Sequence, residues 1–164
     1  MTATWTANKT WAAGEVVTAA MLNQYVRNNL DWLKGRPYVS EQDFDGTFFS
    51  TSSSSFQYTN ANTTLTTTGG RVMVVVFGTI VIGNTATSAR ITLYEDGVNK
   101  GDATEGMVGV QGNTGFKFPF CIIYITPTAP TAAAHDWRIY LRSTNNTDPI
   151  SFTQYQMWAI EIGA

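Results

Sequence analysis

The sequence predicts an all-β sandwich carrying an extended N-terminal arm and one amphipathic helix, on three observations. From Tyr38 onward, short apolar segments are separated by Gly, Asn, Ser and Pro clusters every eight to twelve residues or so, roughly the rhythm of a sandwich or barrel. Only one stretch, ahead of Tyr38, carries a helical period. Charged residues make up 13% of the 164, about half the usual share. Thr, Ser and Asn must therefore solvate the surface, in runs such as 50–55 and 60–68, and they suit strands and turns better than helices. The length accommodates one domain with a full core plus roughly thirty to forty residues of appendage, which divides the chain into 1–37 and 38–164.

Residues 1–13 hold Trp5 and Trp11 in a stretch with no self-sufficient period, which reads as the arm. So short a segment cannot bury two indoles by itself, so each ring needs a groove on its own domain or on a neighbouring molecule. The helix runs from Thr18 to Lys34. Thr18 is its N-cap, Val17 can staple onto Leu22, and Gly35 followed by Pro37 stops it. Met21, Leu22, Tyr25, Val26, Leu30 and Leu33 share one side, opposite Asn23, Arg27, Asn28, Asp31 and Lys34. Such a face must dock, either on its own sandwich or against copies of itself about a threefold axis. Strands are predicted at 38–42, 47–49, 56–58, 63–67, 71–82, 89–95, 98–103, 104–111, 115–125, 136–143 and 150–162, with Asp96-Gly97 as a two-residue hairpin turn.

Most of these strands alternate. Trp137, Ile139 and Leu141 set against Arg138, Tyr140 and Arg142 give one face to the core and one to solvent. The run Val72-Met73-Val74-Val75-Val76-Phe77 does not alternate, and in the last strand Tyr155, Met157 and Ala159 stand opposite Trp158, Ile160 and Ile162. A two-sheet sandwich hides only one face of each strand, so the N-terminal helix or another subunit must cover the second. Covering on the order of 500 Å² contributes roughly 12 kcal/mol of gross transfer energy at 25 cal/mol per Å², ample for a stable oligomer after association costs.

The chain offers little assembled chemistry. A net charge of −2 leaves no basic footprint for nucleic acid. The longest apolar run, about eleven residues from Val72 to Ile82, is too short to cross a membrane as a helix. The opening residues Met1-Thr2-Ala3-Thr4-Trp5 lack the basic and apolar segments of a signal peptide. One histidine, His135, cannot supply a paired-histidine metal site, and no G-x-S-x-G elbow precedes it, so it reads as a turn residue after the 127–134 loop. Asp43 and Asp45 flank Phe44 without the further ligands of a calcium loop, and read as an Asx turn. No phosphate-cradling loop is present. We therefore expect no enzyme, no catalytic residues, no metal and no cofactor. Cys121, inside Phe120-Cys121-Ile122-Ile123, reads as a buried core residue, and Glu161 as a partly buried acid needing Arg71 or Arg90.

Two segments resemble known proteins. Trp11-Ala12-Ala13-Gly14-Glu15-Val16-Val17-Thr18-Ala19-Ala20-Met21-Leu22-Asn23, continuing to Val26-Arg27-Asn28-Asn29-Leu30, resembles the W-x-x-G-E-V-V-T-A-A-x-L-N … R-D-N-L leader of small virion proteins of tailed bacteriophages. Asn29 stands near where that pattern often has Asp. The remainder, with Gly69-Gly70-Arg71-Val72, Tyr94-Glu95-Asp96-Gly97, His135-Asp136-Trp137-Arg138-Ile139 and Trp158-Ala159-Ile160-Glu161-Ile162, is similar to a jelly roll of the complement C1q and tumour-necrosis-factor type.

The resemblance implies a homotrimer whose doubly apolar strands meet near a threefold axis, with Val72, Val74, Val76, Tyr155 and Met157 at the interface. It also implies a virion location. On a capsid the chain would be a decoration, or cement, protein binding the major capsid protein through Trp5, Trp11, Leu22, Val26, Leu30 and Leu33. On a tail it would be a fibre or tip protein recognising a host surface glycan, with Tyr94, Phe116 or Tyr124 stacking on sugars. The absence of a long shaft in 1–37 favours decoration. Neither reading calls for nucleic acid or a membrane.

Overall fold

Alternating apolar and neutral polar residues build ten strands, whose ranges are β1 Tyr38–Asp43, β2 Phe49–Thr51, β3 Gln57–Thr66, β4 Arg71–Ile82, β5 Ser88–Glu95, β6 Val98–Asn99, β7 Val108–Gln111, β8 Lys117–Ile125, β9 Ala134–Ser143 and β10 Ile150–Gly163. The computed structural model describes residues 9–44, 49–84, 87–112 and 114–163, with Trp32 and Leu33 described in backbone only. The chain divides into two units, Met1–Arg36 and Pro37–Ala164.

In the second unit the strands form two five-stranded antiparallel sheets. Sheet I has the order β1-β10-β4-β8, with β2 also on β10; sheet II has the order β3-β9-β5-β6, with β7 also on β5. All neighbours are non-sequential except β5 and β6, whose Asp96-Gly97 turn has φ of 50° and 82°, the two left-handed residues a tight hairpin demands. The core lies between the sheets. Val72, Val74, Val76, Ile122, Met157 and Ala159 from sheet I meet Leu65, Ile91, Leu93, Trp137, Ile139 and Leu141 from sheet II. This architecture is the all-β sandwich the sequence predicts.

Two irregularities set the phase of the strands. In β10 the register slips between Phe152 and Gln154, and Thr153 turns inward to donate its hydroxyl to the Thr79 carbonyl at 3.2 Å. Inward residues therefore change from Ile150 and Phe152 to Tyr155, Met157 and Ala159. In β3 a bulge with Asn60 at φ 67° joins two segments, predicted separately at 56–58 and 63–67, into one strand. The segment 98–107 is mostly not strand, because the Asp102 carboxylate accepts from the amides of Thr104 and Glu105 and closes a local turn.

Among the described residues of the first unit, one helical run follows the segment 9–18. It comprises α1 (Ala19–Leu22), a π-helical stretch (Asn23–Arg27) and α2 (Asn28–Lys34). Thr18 caps it, its hydroxyl accepting from the Met21 amide at 3.2 Å. Ahead of it, Glu15 pairs with Lys9 and accepts from the Ala12 amide, and the lysine, followed by that amide, holds the Glu15 carboxyl below the usual range.

Candidate functional site

Sheet I has an outer face built by the residues that alternate with the core set. Strand register aligns them in rows. Tyr38, Ile160, Met73 and Ile125 form one row; Ser40, Trp158, Val75 and Ile123 form the next; Gln42, Gln156, Phe77 and Cys121 form a third. Tyr38 is 73% exposed, Ile123 66% and Phe77 48%, although all three are apolar or aromatic. Phe77 and Trp158 meet edge to face at 5.8 Å, an arrangement that fixes both rings. Beyond Phe77 the face opens into a hollow of about 230 Å³ bounded by Phe44, Phe77 and Pro119. Gly78 is required there, since a Cβ would come within 2.5 Å of the Phe120 ring. No ionisable side chain stands in the first two rows apart from the Tyr38 phenol, so this face is suited to burial and to no acid–base chemistry.

Sheet II presents a different outer face. Tyr94 stacks on Tyr140 at 3.9 Å, Tyr58 lies 5.7 Å from Tyr140, and Arg138 sits over the Tyr58 ring at 5.2 Å. Arg138 also pairs with Asp136 at 2.5 Å, and Arg90 with Glu105 at 2.8 Å. Burial raises the phenol pKa of Tyr58 and Tyr94 above the usual range. Ion pairs and ring contacts link these polar and aromatic groups to one another, and the face suits water.

The structure places several residues elsewhere than the sequence suggested. Val72, Val74, Val76, Tyr155 and Met157, expected at a threefold interface, lie in the core between the sheets. Their neighbours Met73, Val75, Trp158 and Ile160 point outward instead: in β4 the even-numbered residues face the core throughout, and in β10 the bulge at Thr153 moves the inward set to odd numbers. Cys121 is exposed rather than buried, since Phe120 and Ile122 on either side of it take the inward positions. Glu161 is 1% exposed, but no arginine meets it: it accepts from the amides of Thr68 and Gly70 and from the Thr68 hydroxyl at 2.7–2.8 Å. Arg71 turns to the Thr126 carbonyl instead.

Of the attachment residues, Trp5 lies outside the described residues, and so does the Leu33 side chain. Trp11 packs edge-on against Tyr25 at 6.1 Å with Lys9 over its ring, and stays 41% exposed. Leu22, Val26 and Leu30 form an exposed stripe, while Met21 and Tyr25 are half-buried. Tyr25 is covered in part by the Trp11 ring, which lies on the side of the helix away from that stripe. Of the aromatics considered for sugar stacking, Tyr94 is on sheet II, Phe116 is exposed at the start of β8 and Tyr124 points inward, so they do not converge.

Among the described residues one group brings three potential ligand atoms within 4.8 Å, Glu95, Asp96 and His135. Its donors are committed. Glu95 pairs with Lys100 at 2.8 Å, and both His135 nitrogens meet oxygen acceptors, which makes the group an ion-pair network. No sequence signal could have found it, since the partners are brought together only by the hairpin and the β8–β9 loop. A scan of protein-family models finds no match for this chain, and a search of curated proteins finds none.

Proposed function

We propose that the chain is a structural virion protein, a homotrimeric capsid decoration protein of a tailed phage, in which copies associate through the outer face of sheet I. The observation that carries this reading is the set of apolar rows on that face, which no strand of the sandwich covers. A second copy is the occupant that fits best. The face has no fixed charge in its first two rows, so a partner of the same apolar character is complementary to it, and an area on the order of 500 Å² per copy offsets association costs. The non-sequential order of both sheets supports a jelly roll: leaving aside the short β2 and β6, the strands pair as first with eighth, second with seventh, third with sixth and fourth with fifth around the sandwich. The leader-like segment 11–30, with Trp11 and the stripe of Leu22, Val26 and Leu30 exposed, is the part assigned to the major capsid protein.

One observation favours a second reading, recognition of a host glycan by a tail protein: the Tyr58, Tyr94 and Tyr140 array on sheet II is an aromatic surface of the kind sugars stack on. Two experiments separate the readings. Particles lacking this chain, incubated with purified protein, should bind it over the whole shell, and deletion of residues 1–13 should abolish binding while the sandwich stays folded. Binding confined to the tail, together with a positive glycan array that Tyr140→Ala silences, would replace the capsid reading.

A further inference from the structure

A cavity of about 410 Å³ lies between the β5–β6 hairpin, the end of β8 and the segment 126–133, away from both outer faces. His135, 8% exposed at the start of β9, stands at its wall. Nδ1 is 2.6 Å from the Asp96 carboxylate and Nε2 is 2.9 Å from the Thr131 carbonyl oxygen. Neither partner can donate, so a ring that satisfies both must carry a proton on each nitrogen. A neutral ring has one donor and would turn a lone pair towards one of the two oxygens.

We propose that His135 is a proton-operated latch: doubly protonated, it ties the segment 126–133 to the β5–β6 hairpin across the cavity, and loss of one proton releases one of those ties. Either release is inexpensive. The Asp96 carboxylate keeps the Asp136 amide at 2.8 Å, and the Thr131 carbonyl keeps the Thr67 hydroxyl at 2.7 Å, so neither partner is left without a donor when the ring lets go. The latch therefore opens without unfolding the sheet beneath it.

The carboxylates nearest the ring favour its protonated form, and the cation beside them, Lys100, is held by Glu95. Glu95 and Asp96 on the hairpin are negative, Lys100 pairs with Glu95, Asp136 follows on β9, and Tyr124 approaches from β8. Burial alone would lower the His135 pKa, but the Thr131 carbonyl and the Asp96 carboxylate, with Glu95 beyond, outweigh it and raise the pKa above the ordinary histidine value. Asp96 moves the other way: burial opposes ionisation, and the Asp136 amide and His135 overcome it and lower its pKa. The latch contribution is thus fully present below the unfolded histidine value and is lost as pH rises through the raised folded one. At the acid end it is lost as pH falls through the lowered Asp96 value.

As the chain has one histidine, the test is unambiguous. Imidazole nitrogen NMR follows the ring, and hydrogen exchange at the amides of Thr126 and Thr67, which hold the two ends of the segment by donating to the Val72 and Ala133 carbonyls at 2.9 Å, corrected for intrinsic base catalysis, follows the segment. The expected result is a midpoint above the ordinary value of about 6.5, with protection of those amides falling by about tenfold across it, as for loss of one charge-assisted hydrogen bond. Asp96→Asn supplies a donor to Nδ1, so the neutral ring satisfies both neighbours. That variant should titrate lower and show no step in exchange. A wild-type midpoint at or below the ordinary value, exchange that is flat through the titration, or a step that survives unchanged in Asp96→Asn would each overturn the latch.

Discussion

The two outer faces of the sandwich are built on the same backbone geometry and carry opposite chemistry. On sheet I the outward rows hold Met73, Val75, Trp158, Ile160, Ile123 and Ile125; on sheet II the corresponding positions hold Arg90, Tyr94, Asp136, Arg138, Tyr140 and Arg142. On sheet II, Arg138 pairs with Asp136, Tyr94 stacks on Tyr140, and Arg90 pairs with Glu105 of the adjoining loop. Sheet I has nothing on its own strands to cover it. In a chain this poor in charge, the difference identifies which surface is built to leave water and which to stay in it.

The largest expected effect comes from placing a charge on one face only. Val75→Lys sets an unpaired ammonium between Trp158 and Ile123, costing on the order of 3 kcal/mol or more per copy in an assembled state. The assembly should fall to folded monomers by sedimentation, with an unchanged far-ultraviolet spectrum. Arg138→Glu on sheet II should leave the oligomeric state as it was. If both variants dissociate the protein, or neither does, the contrast between the faces has no bearing on assembly.

A second pair separates core from face within one sheet. Met157 is fully buried and Met73 is half-buried and outward. Met157→Ala should cost about 2–5 kcal/mol of unfolding free energy whatever the protein concentration. Met73→Ala should act mainly through the concentration dependence of the melting temperature.

These pairs also show what could be read from sequence. The alternation in 136–143 placed Trp137, Ile139 and Leu141 inside without ambiguity, because their neighbours are polar. In 72–77 every residue is apolar, so composition shows that two faces need cover but not which parity faces the core. The even residues of β4 face inward throughout, whereas in β10 the slip at Thr153 changes the inward parity, a register effect with no local signature. Cys121 was misread because its neighbours Phe120, Ile122 and Ile123 are all apolar, so composition does not say which parity of β8 faces in. Glu161 illustrates another limit: a buried acid needs hydrogen bonds, and the turn 68–70 supplies amides where an arginine was expected. The Thr18 cap and the Asp96-Gly97 turn were legible because their chemistry is local.

Smaller effects sharpen the comparison. Tyr140→Ala removes the stacking that joins Tyr94 and Tyr58 and should cost about 0.5–1.5 kcal/mol beyond lost burial, without changing the oligomeric state. Smallest of all, Cys121→Ser on the rim of the apolar rows should leave folding nearly unchanged. Thiol labelling of the wild-type Cys121 should be slow in the assembly and fast in Val75→Lys, whereas equal rates would place the thiol outside the buried area.

The most direct test of the central claim is sedimentation equilibrium of the purified chain across the micromolar range. The account predicts a mass of three chains that Val75→Lys reduces to one. A wild-type protein that remains monomeric throughout, with the apolar rows of sheet I in water, would contradict it.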